Sequence, residues 1–269
     1  MEKFYGMSND YLFKAVMQKR KDDVLRNLVG ALLGLDEEEI IACEVTNPIV
    51  LGDSINDKTC ILDIKLLLNN NKNINIELQI NKEVFWAERS LLYWARTYND
   101  LEVGEDYGKL KPTYHIGIID FKLYDGDKEF FSEYRIMNTI NNRVYTDKFA
   151  IKVLNLTNID NAGDVDERVV HWAKIFKAKT LKELEELAGE QEVFKNMVMT
   201  LKELTEDEKI KQQMEARADY LSRIATATAA GRTEGKIDLL KTQVSDGVIS
   251  LEQAAEYAGI SVEELRTFL

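Results

Sequence analysis

Apolar and polar residues alternate along two neighbouring segments of the chain, residues 61–68 and 74–80. The apolar positions are Leu62, Ile64, Leu66 and Leu68 in the first segment and Ile74, Ile76, Leu78 and Ile80 in the second. This period of two is typical of half-buried β-strands, and the asparagine-rich residues 69–73 between the segments favour a turn. The two segments therefore predict a β-hairpin with one apolar face.

The other face of this predicted hairpin is polar and carries two acidic residues. Its side chains are Asp63 and Lys65 on the first strand and Asn75, Glu77 and Gln79 on the second. If the turn is centred near Asn70, Asp63 lies opposite Glu77, with Cβ atoms about 4.5–5.5 Å apart. Carboxylates at that distance repel each other unless positive charge lies between them, so the pair, with Gln79, could bind a hard divalent cation such as Mg²⁺ through oxygen. The alternative is that the pair forms the solvated face of a half-exposed hairpin.

After the hairpin the pattern changes to a helical period, between residues 82 and 101. We expect the two tryptophans of this helix to pack in the core. Arg89, Tyr93 and Arg96 follow one another at positions i, i+4 and i+7 and therefore lie on one side of the helix. For Arg89, a structural ion pair and a cation facing a substrate are equally open.

The neighbouring segments predict a mixed sheet flanked by helices. The segment of residues 114–121 is short and rich in branched side chains, which predicts a buried strand. The order strand, helix, strand is typical of a parallel crossover. The remaining predicted elements are two paired strands at residues 130–136 and 149–154, helices at residues 10–17 and 24–33, and an irregular strand region at residues 40–50. The predicted fold class is α/β (α+β), with a core domain that ends near residue 156.

Beyond residue 156 the pattern is helical. The capping box, in which Ser or Thr precedes Glu or Gln by three residues, marks helix starts. It occurs at Thr180 with Glu183, Thr205 with Glu208, Ser250 with Gln253, and Ser261 with Glu264. We also expect a helix from Asp164 and a long polar helix over residues 206–240, interrupted at Gly235, that connects domains or self-associates. The predicted domains are residues 1–156 (core), 157–205 (helical extension packed on the core) and 206–269 (long helix and helical hairpin).

The last predicted helices, over residues 250–265, carry the alanine, turn glycine and later leucine of a helix–turn–helix. That motif can read the major groove of DNA. Its second helix, however, offers Arg266 as a cation against Glu263 and Glu264. A hairpin for packing or homo-oligomerisation is therefore the favoured interpretation.

Composition narrows the choice of protein class. No stretch of the 269 residues approaches the roughly 18 uninterrupted apolar residues of a membrane span, and the first residues lack the layout of a secretion signal. Cys43 and Cys60 are too few for a disulfide framework or a cysteine metal site. We therefore expect a cytoplasmic protein. The net charge of −12 argues against a protein that coats nucleic acid, but permits an enzyme with a local basic patch and a bound metal.

Several stretches together match one known family. They are residues 9–14, 61–64, 75–79, 88–93, 104–107, 120–121 and 131–134, together with the C-terminal tail. Over these stretches the sequence resembles the Rpn family of recombination-promoting nucleases, also described as PD-(D/E)XK nuclease family transposases. The likeness extends nearly end to end, and the spacing of Asp63, Glu77 and Gln79 is its most specific part.

The resemblance implies a PD-(D/E)XK restriction-endonuclease-like sheet and Mg²⁺-dependent hydrolysis of DNA phosphodiester bonds, with Mn²⁺ or Ca²⁺ as alternative cations. It places the protein in recombination, mobile-element or defence biology. Carried over to this sequence, Asp63 and Glu77 are metal ligands, and Asp10 is an accessory acid on the first helix. DNA is the implied partner, and the side chains expected to contact it are Lys14, Arg89, Tyr93 and Arg96.

Gln79 takes the place that lysine holds in the E-x-K motif of the parent fold. A lysine can steer the attacking water and offset negative charge, whereas a neutral amide can only orient water or complete the metal's ligands. The alternative function is therefore a catalytically weak or inactive nuclease-fold protein that acts as an oligomeric binding protein through its C-terminal helices. We expect both histidines, His115 and His171, to be structural.

Overall fold

The larger part of the chain is built around a six-stranded mixed β-sheet with strand order β1-β2-β3-β4-β6-β5. The strands are β1 (Cys43–Val45), β2 (Ile64–Leu68), β3 (Lys72–Gln79), β4 (Thr113–Ile119), β5 (Phe131–Tyr134) and β6 (Phe149–Asn155). The structure is a computed structural model, which describes residues 4–19, 23–48, 63–99 and 101–268. Strands β3, β4 and β6 are parallel, as the predicted crossover requires, whereas β1 pairs with β2, β2 with β3, and β5 with β6 in antiparallel fashion.

Helices cover both faces of this sheet. In chain order the helices are α1 (Asp10–Lys19), α2 (Asp23–Leu33), α3 (Trp86–Tyr98), α4 (Glu167–Lys177), α5 (Leu181–Ala188), α6 (Glu192–Glu206), α7 (Glu208–Ser245), α8 (Leu251–Ala258) and α9 (Val262–Phe268). On one face, α1, α2, α4 and α6 share an apolar core with the inward side chains of β2, β3 and β4. On the other face, α3 packs across β3, β4 and β6. This arrangement confirms the predicted fold class.

The predicted hairpin is the pair β2–β3, and asparagines form its turn. Asn69 and Asn70 have φ values of +49° and +58°, in the left-handed region that asparagine enters more readily than most residues. The Asn69 amide also hydrogen-bonds to backbone groups of residues 39–42, which ties the turn to the segment before β1. The resulting register pairs Ile64 with Ile76, as expected for a turn centred at Asn70.

The two faces of the hairpin differ in polarity, as the alternation predicts, but both are covered. The apolar side chains in the main core are Ile64, Leu66, Leu68, Ile74, Ile76 and Leu78. On the polar face, Asp63, Asn75 and Glu77 are only 3%, 0% and 4% exposed. The hairpin therefore does not present these acids on a solvated face.

One glycine in β4 allows α3 to lie close to the sheet. Gly117 pairs with Glu77 on β3, and a Cβ atom at Gly117 would lie 2.1 Å from Cζ2 of Trp86. Trp86 is buried and is the first residue of α3. The indole ring thus packs directly on the backbone of β4, which fixes where α3 begins relative to Glu77.

The predicted helix start at Thr205 is wrong. Thr205 lies within α6, where its hydroxyl donates to the carbonyl oxygen of Lys202 at 3.0 Å. The next helix is instead capped by Asp207, whose Oδ1 accepts from the backbone N–H groups of Lys209 and Ile210. Aspartate is at least as good an N-cap as threonine, so the neighbouring residue displaces the expected one.

Two further helix boundaries differ from expectation. The helix expected from Asp164 begins as α4 at Glu167, because the side chain of Asp166 caps it. The long helix α7 continues through Gly235 to Ser245, since an exposed glycine costs a helix only about 1 kcal/mol relative to alanine. The expectations for Cys60, for residues 49–50 and for residues 61–62 fall outside the described residues.

The chain divides into two compact units, Met1–Arg217 and Ala218–Leu269. In the second unit, α8 and α9 pack against the end of α7, and Gly259 forms the turn between them with φ +74°. The core of this unit consists of Ile237, Leu240, Ala254, Ala255 and Leu265. Among the described residues, no helix combines the length and hydropathy needed to cross a bilayer. The three-part domain division stays a prediction.

Replacing Gly117 by alanine should destabilise the first unit by about 1–3 kcal/mol, because the added methyl group displaces Trp86. Urea denaturation followed by tryptophan fluorescence measures this loss, since every tryptophan of the chain lies in the first unit. Gly235→Ala is the control for adding a methyl group where there is space, because its Cβ would meet nothing within 4 Å; since alanine favours a helix over glycine, it should not lower the midpoint. An unaltered midpoint for Gly117→Ala would contradict the packing described above.

Candidate active site

Two side chains hold the backbone of Asp63 at the start of β2. The ammonium group of Lys14, on α1, donates to the carbonyl oxygen of Asp63 at 2.9 Å, and the amide of Asn47 donates to the same oxygen at 3.1 Å. Asn47 also accepts from the N–H of Lys65 at 2.8 Å. Its amide thus pairs with backbone groups that a neighbouring strand would otherwise satisfy, and the position of Asp63 is fixed.

Asp63 lies opposite Glu77. The pairing of Ile64 with Ile76 is the last of the β2–β3 register, and the two acids adjoin it, since Asp63 precedes Ile64 and Glu77 follows Ile76. Directly opposed residues of an antiparallel pair have Cβ atoms about 4.5–5.5 Å apart. The two buried carboxylates are close enough for the charge of Glu77 to act on the pKa of Asp63.

The carboxylate of Asp63 is buried, and neither of its oxygens has a hydrogen-bond partner among the described residues. Burial raises the pKa of this carboxyl above its ordinary value, while the positive charges of Lys65 and Lys14 act in the opposite direction. A buried polar group without a partner costs about 1–3 kcal/mol, and more when it is charged. A divalent cation would remove this cost, because it supplies both positive charge and coordination to oxygen.

Glu77, in contrast, has a charged partner. Nη2 of Arg89, on α3, lies 2.6 Å from Oε1 of Glu77, and Nε2 of His115, on β4, lies 3.5 Å from Oε2. Burial disfavours the charged guanidinium, but Glu77 and Tyr93 outweigh it and raise the pKa of Arg89. Neither oxygen of Glu77 receives a well-directed hydrogen bond from the described residues. The carboxylate therefore keeps lone pairs for a further ligand.

Asn75 orients His115 beneath this site. Nδ2 of Asn75 and Nδ1 of His115 are 3.0 Å apart, and both side chains are fully buried. As the amide donates to Nδ1, a neutral His115 carries its proton on Nε2, which faces Glu77. The imidazole ring also lies next to Trp86 and Tyr93, with ring centroids 6.0 and 6.4 Å away. His115 thus packs beneath Glu77 and directs an N–H group toward it.

The two other predicted catalytic side chains have partners of their own. Nε2 of Gln79 donates to the carbonyl oxygen of Asn81 at 2.9 Å. Oδ2 of Asp10 accepts from Nε and Nη2 of Arg217 at 2.8 and 2.6 Å. Asp10 lies one helical turn before Lys14, and so shares the face of α1 that contacts the start of β2.

The polar face of the hairpin offers oxygen ligands for a cation, including the carboxylates of Asp63 and Glu77 and the side-chain amide of Gln79. In the part of the chain that the structure describes, no three His, Cys, Asp or Glu side chains converge as a ready-made metal site. Mg²⁺ is commonly bound by one or two carboxylates, with water and substrate phosphates as its other ligands. The arrangement therefore fits Mg²⁺ better than Zn²⁺, which takes three or four protein ligands.

A family model described as PD-(D/E)XK nuclease family transposase matches residues 7–228. The chain belongs to this family. The match confirms the resemblance noted from the sequence and includes both opposed acids, Asp63 and Glu77. No curated protein and no solved structure matches the chain significantly. Membership of the PD-(D/E)XK nucleases supports a nuclease-like function, which implies DNA binding, and divalent metals are typical of such enzymes.

In this PD-(D/E)XK family member, the four side chains expected to contact DNA have different surroundings. Lys14 is 2% exposed and is engaged with the backbone of β2. The side chain of Arg89 is 33% exposed, and its guanidinium lies 5.2 Å from the ring centroid of Tyr93. Arg96, in the last turn of α3, is exposed. Two roles were open for Arg89, and the structure shows the first of them, an ion pair, with Glu77 as the partner.

Reasoning from the sequence missed several residues that support the site of this PD-(D/E)XK protein. These are Asn47 and Arg217, together with the contacts of His115 to Asn75 and Glu77. A polar residue in an apolar strand marked His115, but no local pattern marks Asn47, and Arg217 lies 207 residues from Asp10. The second histidine, His171, packs against Phe194 with ring centroids 4.5 Å apart.

Replacing Asp63 by asparagine should stabilise the cation-free protein by about 1–3 kcal/mol and abolish its stabilisation by Ca²⁺. Asparagine keeps the size of the side chain but removes a buried charge, and with it the ligand through which a cation favours the folded state. Thermal unfolding in EDTA and in Ca²⁺ measures both effects. Asp164→Asn, at an exposed position, is the control. Equal stabilisation of both variants by Ca²⁺ would contradict a cation site at Asp63.

Proposed function

We propose that this chain is a divalent-cation-dependent endonuclease that hydrolyses phosphodiester bonds in DNA, in recombination, mobile-element or defence biology. One observation carries the proposal. In a member of a nuclease family, the carboxylate of Asp63 is buried opposite Glu77 and has no hydrogen-bond partner among the described residues. A buried carboxylate is costly unless a partner or a metal satisfies it.

The roles of the residues follow from their surroundings. Asp63 and Glu77 would hold the cation, with Mg²⁺ as the expected ion. When bound, the cation would supply Lewis acidity, which lowers the pKa of water and offsets charge on phosphoryl oxygens. Gln79 lies two residues after Glu77 on the same face of β3, and its amide would orient water. Because Gln79 is neutral, additional positive charge has to come from other side chains.

The cations of α3 support binding of the phosphate backbone. Arg89 and Arg96 are separated by two helical turns and therefore share a side of the helix with Tyr93. Arginine side chains bind phosphate oxygens through paired N–H groups, and such contacts weaken as salt rises. The net charge of −12 does not oppose this role, because contact with DNA depends on the local charge of α3. We assign Lys14, which is buried, to the support of Asp63.

Nicking of supercoiled plasmid DNA tests the proposal. The wild-type protein should nick the plasmid with Mg²⁺ or Mn²⁺, and EDTA should stop the reaction. Asp63→Ala and Asp63→Asn should each lower the nicking rate by at least about 100-fold, since loss of a metal ligand costs more than loss of the residues that orient it.

The exposed variant Asp164→Asn provides the control for this experiment, because it removes one acid far from the hairpin in sequence and should nick at the wild-type rate. Circular dichroism of each variant would verify folding. Equal nicking by the wild type and by folded Asp63→Ala would mean that the activity comes from a contaminant, and it would contradict the assignment of Asp63 to the active site.

A specific observation favours the second candidate, a nuclease-fold protein that binds partners without cleaving DNA. Of the predicted catalytic side chains, Glu77, Asp10 and Gln79 each contact an internal partner. Such a protein would show no nicking with any cation while remaining folded, and would bind DNA or assemble through its C-terminal helices. Analytical ultracentrifugation over a range of concentrations tests the assembly, and a monomer throughout would contradict it.

A further inference from the structure

Arg89 reaches from the surface of α3 into the interior. Its Nη2 lies 2.6 Å from Oε1 of Glu77, while Nη1 lies 3.6 Å from the partly exposed carboxylate of Glu83. The guanidinium is also placed by the ring of Tyr93, one helical turn further along α3. Nη2 of the guanidinium therefore contacts Glu77, a predicted metal ligand in the interior, whereas Nη1 lies near Glu83 at the protein surface.

The contact with Arg89 offsets the cost of burying the carboxylate of Glu77. Its side chain is 5% exposed, and an ionised carboxylate in a protein interior is stable only when it is paired. The other nearby donor, Nε2 of His115, is 3.5 Å from Oε2, which is at the limit of hydrogen bonding. Within the part of the chain that the structure describes, Arg89 is thus the permanently charged partner of Glu77.

The ion pair leaves room for a second partner. A carboxylate offers about four acceptor sites on its two oxygens, and the closest contact of Arg89 is with Oε1. Neither oxygen receives a well-directed hydrogen bond from the described residues, so acceptor sites remain on the strand face that Glu77 shares with Asp63. In metal centres, carboxylate ligands are commonly hydrogen-bonded by a neighbouring group that fixes their orientation.

We infer that Arg89 is a positioning residue of the cation site: it holds and orients the carboxylate of Glu77 so that Glu77 and Asp63 bind the same divalent cation. The inference rests on the proposed function, because it concerns the same site. It goes beyond that function by assigning to an arginine of α3 the support of a ligand on β3. Arg89 and the cation bind Glu77 together and do not compete for it.

The first test is a double-mutant cycle on stability in EDTA, with Arg89→Gln, Glu77→Gln and the double variant. Arg89→Gln should lower the urea midpoint, because it leaves a buried carboxylate without its charged partner. Adding Glu77→Gln should raise the midpoint again, since the second change removes the unpaired charge. This result does not depend on any metal. Independent, additive effects of the two substitutions would overturn the inference.

The second test is calorimetric titration with Ca²⁺ alone, in the absence of DNA. Arg89→Gln should weaken Ca²⁺ binding by about 10–100-fold, as expected for loss of a group that orients a ligand, and Arg89→Lys should recover part of the affinity. Lys182→Gln is the charge-matched control, because Lys182 is exposed on α5 and pairs with Glu186; it should bind Ca²⁺ like the wild type. Arg96→Gln should bind Ca²⁺ normally but bind DNA more weakly.

The outcomes separate the inference from the proposed function. Tighter Ca²⁺ binding by Arg89→Gln would mean that the arginine competes with the cation, and would overturn the inference while leaving the nuclease proposal intact. Ca²⁺ binding unaffected by Arg89→Gln would do the same. If the wild type neither binds Ca²⁺ nor nicks DNA, yet the double-mutant cycle shows coupling, the proposed function fails and Arg89 is only the structural partner of Glu77.

Discussion

The free energy of placing a carboxylate in the protein interior governs the architecture around β2 and β3. Three acids are buried in this region, and each has a different environment. Glu77 is paired with Arg89, and Asp10 with Arg217, whereas the oxygens of Asp63 have no partner among the described residues. Because two of the acids are neutralised from within, the third is the one that most strongly favours a ligand. We propose that this asymmetry makes the sheet face a site for a cation.

In the same region, the backbone at Gly117 influences where the side chain of Arg89 lies. The absence of a Cβ at Gly117 permits Trp86 to lie against β4, and Trp86 opens the helix that carries Arg89. Gly117 is the neighbour of Glu77 across the sheet. The strand that carries the acid and the helix that carries its cationic partner therefore both contact β4 at Gly117. Small changes in that packing would move the guanidinium relative to the carboxylate.

The parts of this site that the sequence predicts are those set by local periodicity. Alternation along β2 and β3 gives the two faces, and the asparagine turn gives the register that opposes Asp63 and Glu77, because both are properties of adjacent residues. Burial of the polar face was not predictable in this way, since it depends on how α3 packs. The partners of the acids were missed for the same reason: Arg217 is distant in sequence, and nothing local pairs it with Asp10. At Thr205 a local motif was present but did not determine the structure, because the neighbouring Asp207 caps the next helix instead.

The course of α7 has a practical consequence for any fragment of this protein. The helix is continuous from Glu208 to Ser245, yet its first turns belong to the larger unit, where Ile210 and Met214 are buried in the main core and Arg217 holds Asp10. A fragment that stopped at the end of α6 would leave an apolar groove and an unpaired internal acid. A fragment that keeps these contacts must therefore extend to about residue 217, so its C-terminus falls inside a helix and not in a loop.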